Sequence, residues 1–174
     1  ADDYLKLSGR SKRGMRMFTK LLFQVIIGFA AGVGLYLALQ WREPDPSVAS
    51  RFYVLFGGHW DLGVFYPLLV MFVIVATTNA VNITDGLDGL AGGCLAISVF
   101  AYAIIAYFVG RVDFSQYLQI PCIRSSAEVT VFCTAMLGAT LGFLWFNSHP
   151  AQVFLGDSGS LPLGGALGLV ACAT

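Results

Sequence analysis

Long apolar runs constrain this chain before anything else does. Crossing the hydrocarbon core of a bilayer takes about 20 consecutive apolar residues in a helix. Residues Leu21–Leu39 carry Gln24 as their only strongly polar side chain, and Leu62–Ala76 carries none before continuing through Thr77 and Thr78. Leu90–Val109 is apolar but for Ser98, and Val129–Phe146 but for a few hydroxyl and indole groups. Leu161–Thr174 reads as a span that stops partway. The expected fold class is therefore all-α: a polytopic transmembrane helical protein with four full spans plus part of a fifth, residues 1–174 forming a single integral-membrane domain. With 57% hydrophobic residues and a mean hydropathy of +0.75, an ordinary soluble domain is excluded.

The chain opens on Ala1, and residues 1–20 are polar and basic without the apolar stretch of a signal peptide. It reads as the middle of something longer. Net charge is zero, yet six of the ten Lys and Arg fall in residues 1–20: Lys6, Arg10, Lys12, Arg13, Arg16 and Lys20. The positive-inside rule puts that segment in the cytoplasm. It is read either as a solvated arm on anionic membrane lipids or as a contact for a phosphorylated partner; nothing marks a nucleic-acid binder. Cys94, Cys122, Cys133 and Cys172 form no CxxC pair and read as small buried hydrophobes.

With the start inside, the spans place 41–61 and 110–128 outside, and 77–89 and 147–160 inside. The carboxylates then sort. Asp2, Asp3, Asp85, Asp88 and Asp157 fall on the cytoplasmic side, each in a compact polar motif against a span. Glu43, Asp45, Asp61, Asp113 and Glu128 fall outside, in loops without such a pattern.

In NITDGLDG, Asp85 and Asp88 stand three apart, just before the span that opens at Leu90. A helix starting at Asp85 presents both on nearly one face. The competing reading is a plain cap by Thr84 or Asp85, with Gly86 and Gly89 as turns. A second acid and two amides, Asn79 and Asn82, exceed what a cap requires. A glycine-containing helix N-terminus also suits an anion bridged to carboxylates by a divalent cation. In FNSHPAQVFLGDSGSLPLGG, Gly156 and Gly159 flank Asp157, with Ser158 and Ser160 alongside, so backbone can approach a ligand and the acid can ligate Mg2+. Phe154 either packs on lipid or a neighbouring helix, or stacks on a planar base. His149, before a proline, reads as structural. In ADDYLK, Asp2 and Asp3 point about 100° apart if helical, a solvated turn unless one faces a metal or nucleophile. Three acidic motifs converging on one face favour Mg2+ held jointly with substrate phosphates. The lack of Cys/His clusters speaks against zinc.

NAVNITDGLDGLAGG and FNSHPAQVFLGDSGSLPLGG closely resemble the signature segments of the phospho-N-acetylmuramoyl-pentapeptide transferase (translocase I) family, within the wider polyprenyl-phosphate N-acetylhexosamine-1-phosphate transferases. ADDYLK resembles that family's paired-aspartate motif, followed by a lysine that would be Lys20, and HPAQVFLGD favours the peptidoglycan member. The resemblance runs the length of the chain and corresponds to the central part of a member. The family's histidine-rich loop, nearer its C-terminus, is absent from the sequence. It implies Mg2+-dependent transfer from UDP-N-acetylmuramoyl-pentapeptide to undecaprenyl phosphate at the cytoplasmic face of a bacterial inner membrane, giving lipid I and UMP. Asp157 would be the principal Mg2+ ligand, and Asp2, with Asp3, would orient or deprotonate the lipid phosphate. Asp85 and Asp88 would shape the nucleotide pocket, with Asn79, Asn82 and Ile83 near the diphosphate. Phe154 would stack on uracil, Asn147 would help hold the uridine, and Lys20 would meet phosphate. SGRSKRGMRMF fits the family only loosely, so Lys20 is a softer match than the aspartates. A sister transferase moving N-acetylglucosamine-1-phosphate is the alternative; self-association as a homodimer stays open.

Overall fold

The computed structural model describes residues 17–43, 50–54 and 58–174. Helix α1 spans Met17–Arg42. It is followed by a hairpin of β1 (Arg51–Val54) and β2 (Gly58–Asp61), with Arg51 opposite Asp61. A 3-10 turn at Gly63–Phe65 leads into α2 (Tyr66–Thr84), which carries Pro67 in its first turn, where a missing N–H costs nothing. Then come α3 (Leu90–Val109), the short α4 (Val112–Leu118), α5 (Ser126–Asn147) and α6 (Gly156–Ala173).

Four stretches, Phe18–Arg42, Gly63–Thr84, Leu90–Val109 and Ser126–Asn147, are helices long and apolar enough to cross a membrane. They coincide with the four expected spans, and the chain is a multi-pass membrane protein. Two boundaries differ from the expectation. Helix α2 continues to Thr84, so most of 77–89 is helix and the turn shrinks to Asp85–Gly89. Helix α6 begins at Gly156 rather than Leu161, which takes Asp157 into its first turn.

The helices pack as two pairs joined by a fifth. α1 lies along α2 and α3 along α5, while α6 packs closely on α2 and touches α3 and α5. Leu95, Val99, Cys133, Met136 and Val170 form the buried centre where α3, α5 and α6 meet. Tyr66, Val70 and Ile74 fill the contact of α2 with α1 and α6. Large side chains such as Phe72, Ile97, Val131 and Trp145 stay exposed on the outside, as a lipid-facing surface requires. Cys94 is among the exposed positions, so only part of the buried-thiol expectation holds; all four thiols are free.

Small residues set the α2–α6 seam. A Cβ on Gly164 would lie 2.8 Å from the Thr77 carbonyl oxygen, and one on Gly168 would collide with the Thr77 hydroxyl. In lipid, where burial of apolar surface drives little, such close backbone approach is the main source of helix association. Polar groups close the end opposite Asp157. The Tyr66 hydroxyl donates to the Cys172 carbonyl at 2.7 Å and the Ser126 hydroxyl to the Ala173 carbonyl at 2.9 Å, satisfying last-turn carbonyls of α6. Nearby, the buried Glu43 accepts from the Arg124 and Ser125 N–H groups and the Ser125 hydroxyl. It thereby caps α5, which has no side-chain cap of its own.

Candidate functional site

The other end of the bundle gathers the polar motifs. Lys20, near the start of α1, donates from Nζ to Asp157 Oδ2 at 2.5 Å. One turn further along α1, Gln24 Oε1 accepts from Asn79 Nδ2 at 2.9 Å; the same amide also donates to the Val75 carbonyl at 2.7 Å. Asn82 Oδ1 accepts from the fully buried Ser160 hydroxyl at 2.7 Å. These bonds tie α1 to α2 and α2 to α6, just below the mouth of the site.

The turn Asp85–Gly89 resolves one alternative left by the sequence. Thr84 does not cap forward: its hydroxyl bonds back to the Ala80 carbonyl at 2.8 Å. Asp85 ends α2, its N–H donating to the Val81 carbonyl, and α3 starts only after Gly89, whose φ of 75° lies in the left-handed region that glycine tolerates. Asp85 and Asp88 therefore do not share one helix face; both sit in the turn between α2 and α3. Partial burial pushes the Asp85 carboxyl above the usual carboxylate range. Repulsion from Asp157 adds to that rise, and the Gly156 backbone N–H opposes it.

Asp88 faces the next loop. Its Oδ2 accepts from the Ala151 N–H at 3.2 Å and stands 3.1 Å from His149 Nδ1, so His149 has the structural contact expected of it. Asn147, only 4% exposed, spends both ends of its amide on backbone. Oδ1 accepts from the Gly89 N–H at 3.1 Å, and Nδ2 donates to the Val153 carbonyl at 2.8 Å. It staples the turn before α3 to the loop before α6. Beyond that staple Phe154 is 72% exposed, and Ile83 is exposed on the last turn of α2. Asp2 and Asp3 lie outside the described residues.

Between α1, α2 and α6 runs a cavity of about 650 Å3. Lys20, Asp157 and Ser158 stand at its polar end, and Ile27, Ala31, Ile74 and Leu169 line its apolar length. Sequence reasoning passed over Gln24 and Ser160. Gln24 had a signal, as the only strongly polar side chain of its run; Ser160 had none apart from its place in GDSGS.

A profile described as glycosyl transferase family 4 matches residues 1–174. The chain belongs to that family. It is 46% identical to a phospho-N-acetylmuramoyl-pentapeptide-transferase of Thermodesulfovibrio yellowstonii and 48% identical to one of Desulfosudis oleivorans. A protein of the same name from Rickettsia montanensis is 44% identical. Each alignment covers 99% of this chain and 47% of the relative. The chain thus spans about half the length of the curated relatives it matches.

Proposed function

We propose that this chain carries the central part of an enzyme that moves phospho-N-acetylmuramoyl-pentapeptide from its UDP carrier onto undecaprenyl phosphate, the first membrane step of peptidoglycan synthesis. An oxygen of the lipid phosphate attacks the β-phosphorus. A new P–O–P bond forms, the bond from β-phosphorus to the bridging oxygen breaks, and UMP leaves with that oxygen. The observation that carries this reading is the meeting of Lys20, Asp85 and Asp157, from three separate segments, at one end of the bundle beside an apolar cavity, with Asp88 in the same turn as Asp85. The relatives' printed names supply the substrate class.

The donor chemistry fits a hard cation, since Asp157 and the neighbouring Asp85 are oxygen ligands at a polar mouth. Among the described residues no three His, Cys, Asp or Glu side chains gather as a metal centre, so substrate phosphates would complete the coordination. Asp157 would hold Mg2+, which would supply charge neutralisation for the diphosphate and the departing UMP. The rest is positioning. Asp2, with Asp3, orients or deprotonates the attacking phosphate; Asp85, Asp88, Asn79, Asn82 and Ile83 wall the nucleotide diphosphate. The exposed Phe154 ring offers uracil a stacking face, while Asn147 holds the loop that presents it. The active face is cytoplasmic, in a bacterial inner membrane.

The test follows UMP release by the full-length protein in detergent with undecaprenyl phosphate and Mg2+. It offers UDP-N-acetylmuramoyl-pentapeptide in one arm and UDP-N-acetylglucosamine in the other. Turnover of the muropeptide alone is expected. Turnover of only the simpler sugar would move the protein to the sister branch, and turnover of neither would end the transferase reading.

A further inference from the structure

Lys20 and Asp157 lie 137 positions apart in sequence, yet the ammonium sits 2.5 Å from one carboxylate oxygen. The pair is reachable, with side chains 28% and 35% exposed, and both residues stand at the polar end of the cavity. The bonded oxygen, Oδ2, is one of only two that Asp157 has to offer. A divalent cation binds carboxylate oxygen at about 2.1 Å. If the ammonium stayed on Oδ2 while the cation took Oδ1, a double positive charge would stand a few ångströms from a single one. The two therefore compete for the carboxylate.

The surroundings determine how the conflict is relieved. Gln24, one turn beyond Lys20 on α1, is bonded to Asn79 on α2, so this end of α1 is tethered. Asp157 is fixed in the first turn of α6, whose next turn is anchored by Ser160 to Asn82. Both backbones are held, and the mobile part is the four-carbon stem of Lys20, which can swing its ammonium without moving a helix.

Resting on the reading of Asp157 as the metal ligand, we propose that Lys20 is the resident counter-ion of Asp157 and is displaced when the metal binds. The released ammonium turns to the substrate's phosphate oxygens at the same mouth. Lys20 is then a positioning residue with two opposite effects. It competes with the metal while the site lacks phosphate, and it strengthens phosphate binding once the metal has taken Asp157. Linkage makes the coupling reciprocal: metal raises affinity for phosphate through Lys20, and phosphate raises affinity for metal by the same factor.

The experiment uses the full-length protein in detergent without nucleotide or lipid, titrated with Mn2+ while free Mn2+ is read by paramagnetic resonance. Asp157→Asn is expected to lose the site. Lys20→Met is expected to bind Mn2+ about fivefold more tightly than the unaltered protein, since a part-exposed ion pair contributes about 1 kcal/mol and 1.4 kcal/mol is tenfold. Lys20→Arg, which keeps the charge, should stay within about twofold by the same conversion. In the unaltered protein, saturating Mg2+ should also raise acylation of the Lys20 amine several-fold, read by peptide mass spectrometry, so the proposal stays testable if Lys20→Met does not fold. Unchanged or weaker Mn2+ binding in Lys20→Met, or Lys20 acylation indifferent to Mg2+, overturns the exchange while leaving Asp157 as ligand. Undiminished binding in Asp157→Asn overturns both, because the metal then sits elsewhere.

Discussion

Glu43→Ala is expected to loosen the start of α5 without touching the polar motifs at the far end of the bundle. The Glu43 carboxylate, 6% exposed, takes three hydrogen bonds: from the Arg124 N–H at 3.2 Å, the Ser125 N–H at 2.9 Å and the Ser125 hydroxyl at 2.6 Å. Bonds to a charged acceptor contribute about 1.5–3 kcal/mol each when the donor is otherwise stranded. Losing a helix cap costs about 1 kcal/mol where water takes its place. The cap and the three bonds count the same donors, so the net loss falls at about 2–3 kcal/mol, between single-cap loss and the sum of three bonds. Local opening should become correspondingly easier. Amide exchange at 124–128, followed by mass spectrometry on the detergent-solubilised full-length protein, should accelerate roughly 30- to 150-fold, at 1.4 kcal/mol per decade. Exchange at 90–95 should stay unchanged. Unaltered exchange at 124–128 would refute the idea that α5 takes its cap from Glu43.

Four further outcomes can be checked. Because the folded protein raises the Asp85 carboxyl, its ionisation opposes folding: the native state binds the extra proton, and stability declines as pH rises from the ordinary carboxylate range through the raised value. Asp85→Asn should therefore melt higher than the unaltered protein at pH 7, with the gap closing as pH falls toward about 4; a gap that widens on acidification contradicts the assignment. Gly164→Ala puts a methyl 2.8 Å from the Thr77 carbonyl and should destabilise by about 1–3 kcal/mol, read as a lower yield of monodisperse protein on size exclusion; an undiminished yield shows that the seam gives way. Phe154→Ala should weaken UMP binding more than lipid-phosphate binding, and the reverse ranking ends the stacking role. Single cysteines introduced at Ser158 and Ser50 should label from opposite membrane sides, and same-side labelling overturns the span order.

The spans were legible because each needs only a local property, an unbroken apolar run of sufficient length. The identity of the polar residues was legible for a related reason, since acids and amides stand out where 57% of the chain is hydrophobic. Their partners were not. Lys20 meets Asp157 across 137 positions and Glu43 meets Ser125 across 82, and no local pattern encodes such distances. Helix ends were blurred because Asn79, Asn82 and Thr84 read as loop residues. In place, Asn79 and Thr84 bond back to carbonyls of their own helix, and Asn82 is held by Ser160. Asn147 carries the same lesson: chosen as a ligand contact, it has both amide groups committed to backbone.

Next to Ala31 on the cavity wall, Gly32 of α1 packs against α2 so closely that a Cβ there would lie 2.7 Å from the Pro67 oxygen, while Lys20 stands at the polar end of the cavity. From Lys20 to Ala31, the last α1 residue on its wall, the helix rises about 16 Å at 1.5 Å per residue. If the proposed lipid acceptor enters here, only the head-proximal portion of its isoprenoid would fit that length, and the remainder would lie in the bilayer. Such walls would then measure how the lipid begins and not where it ends.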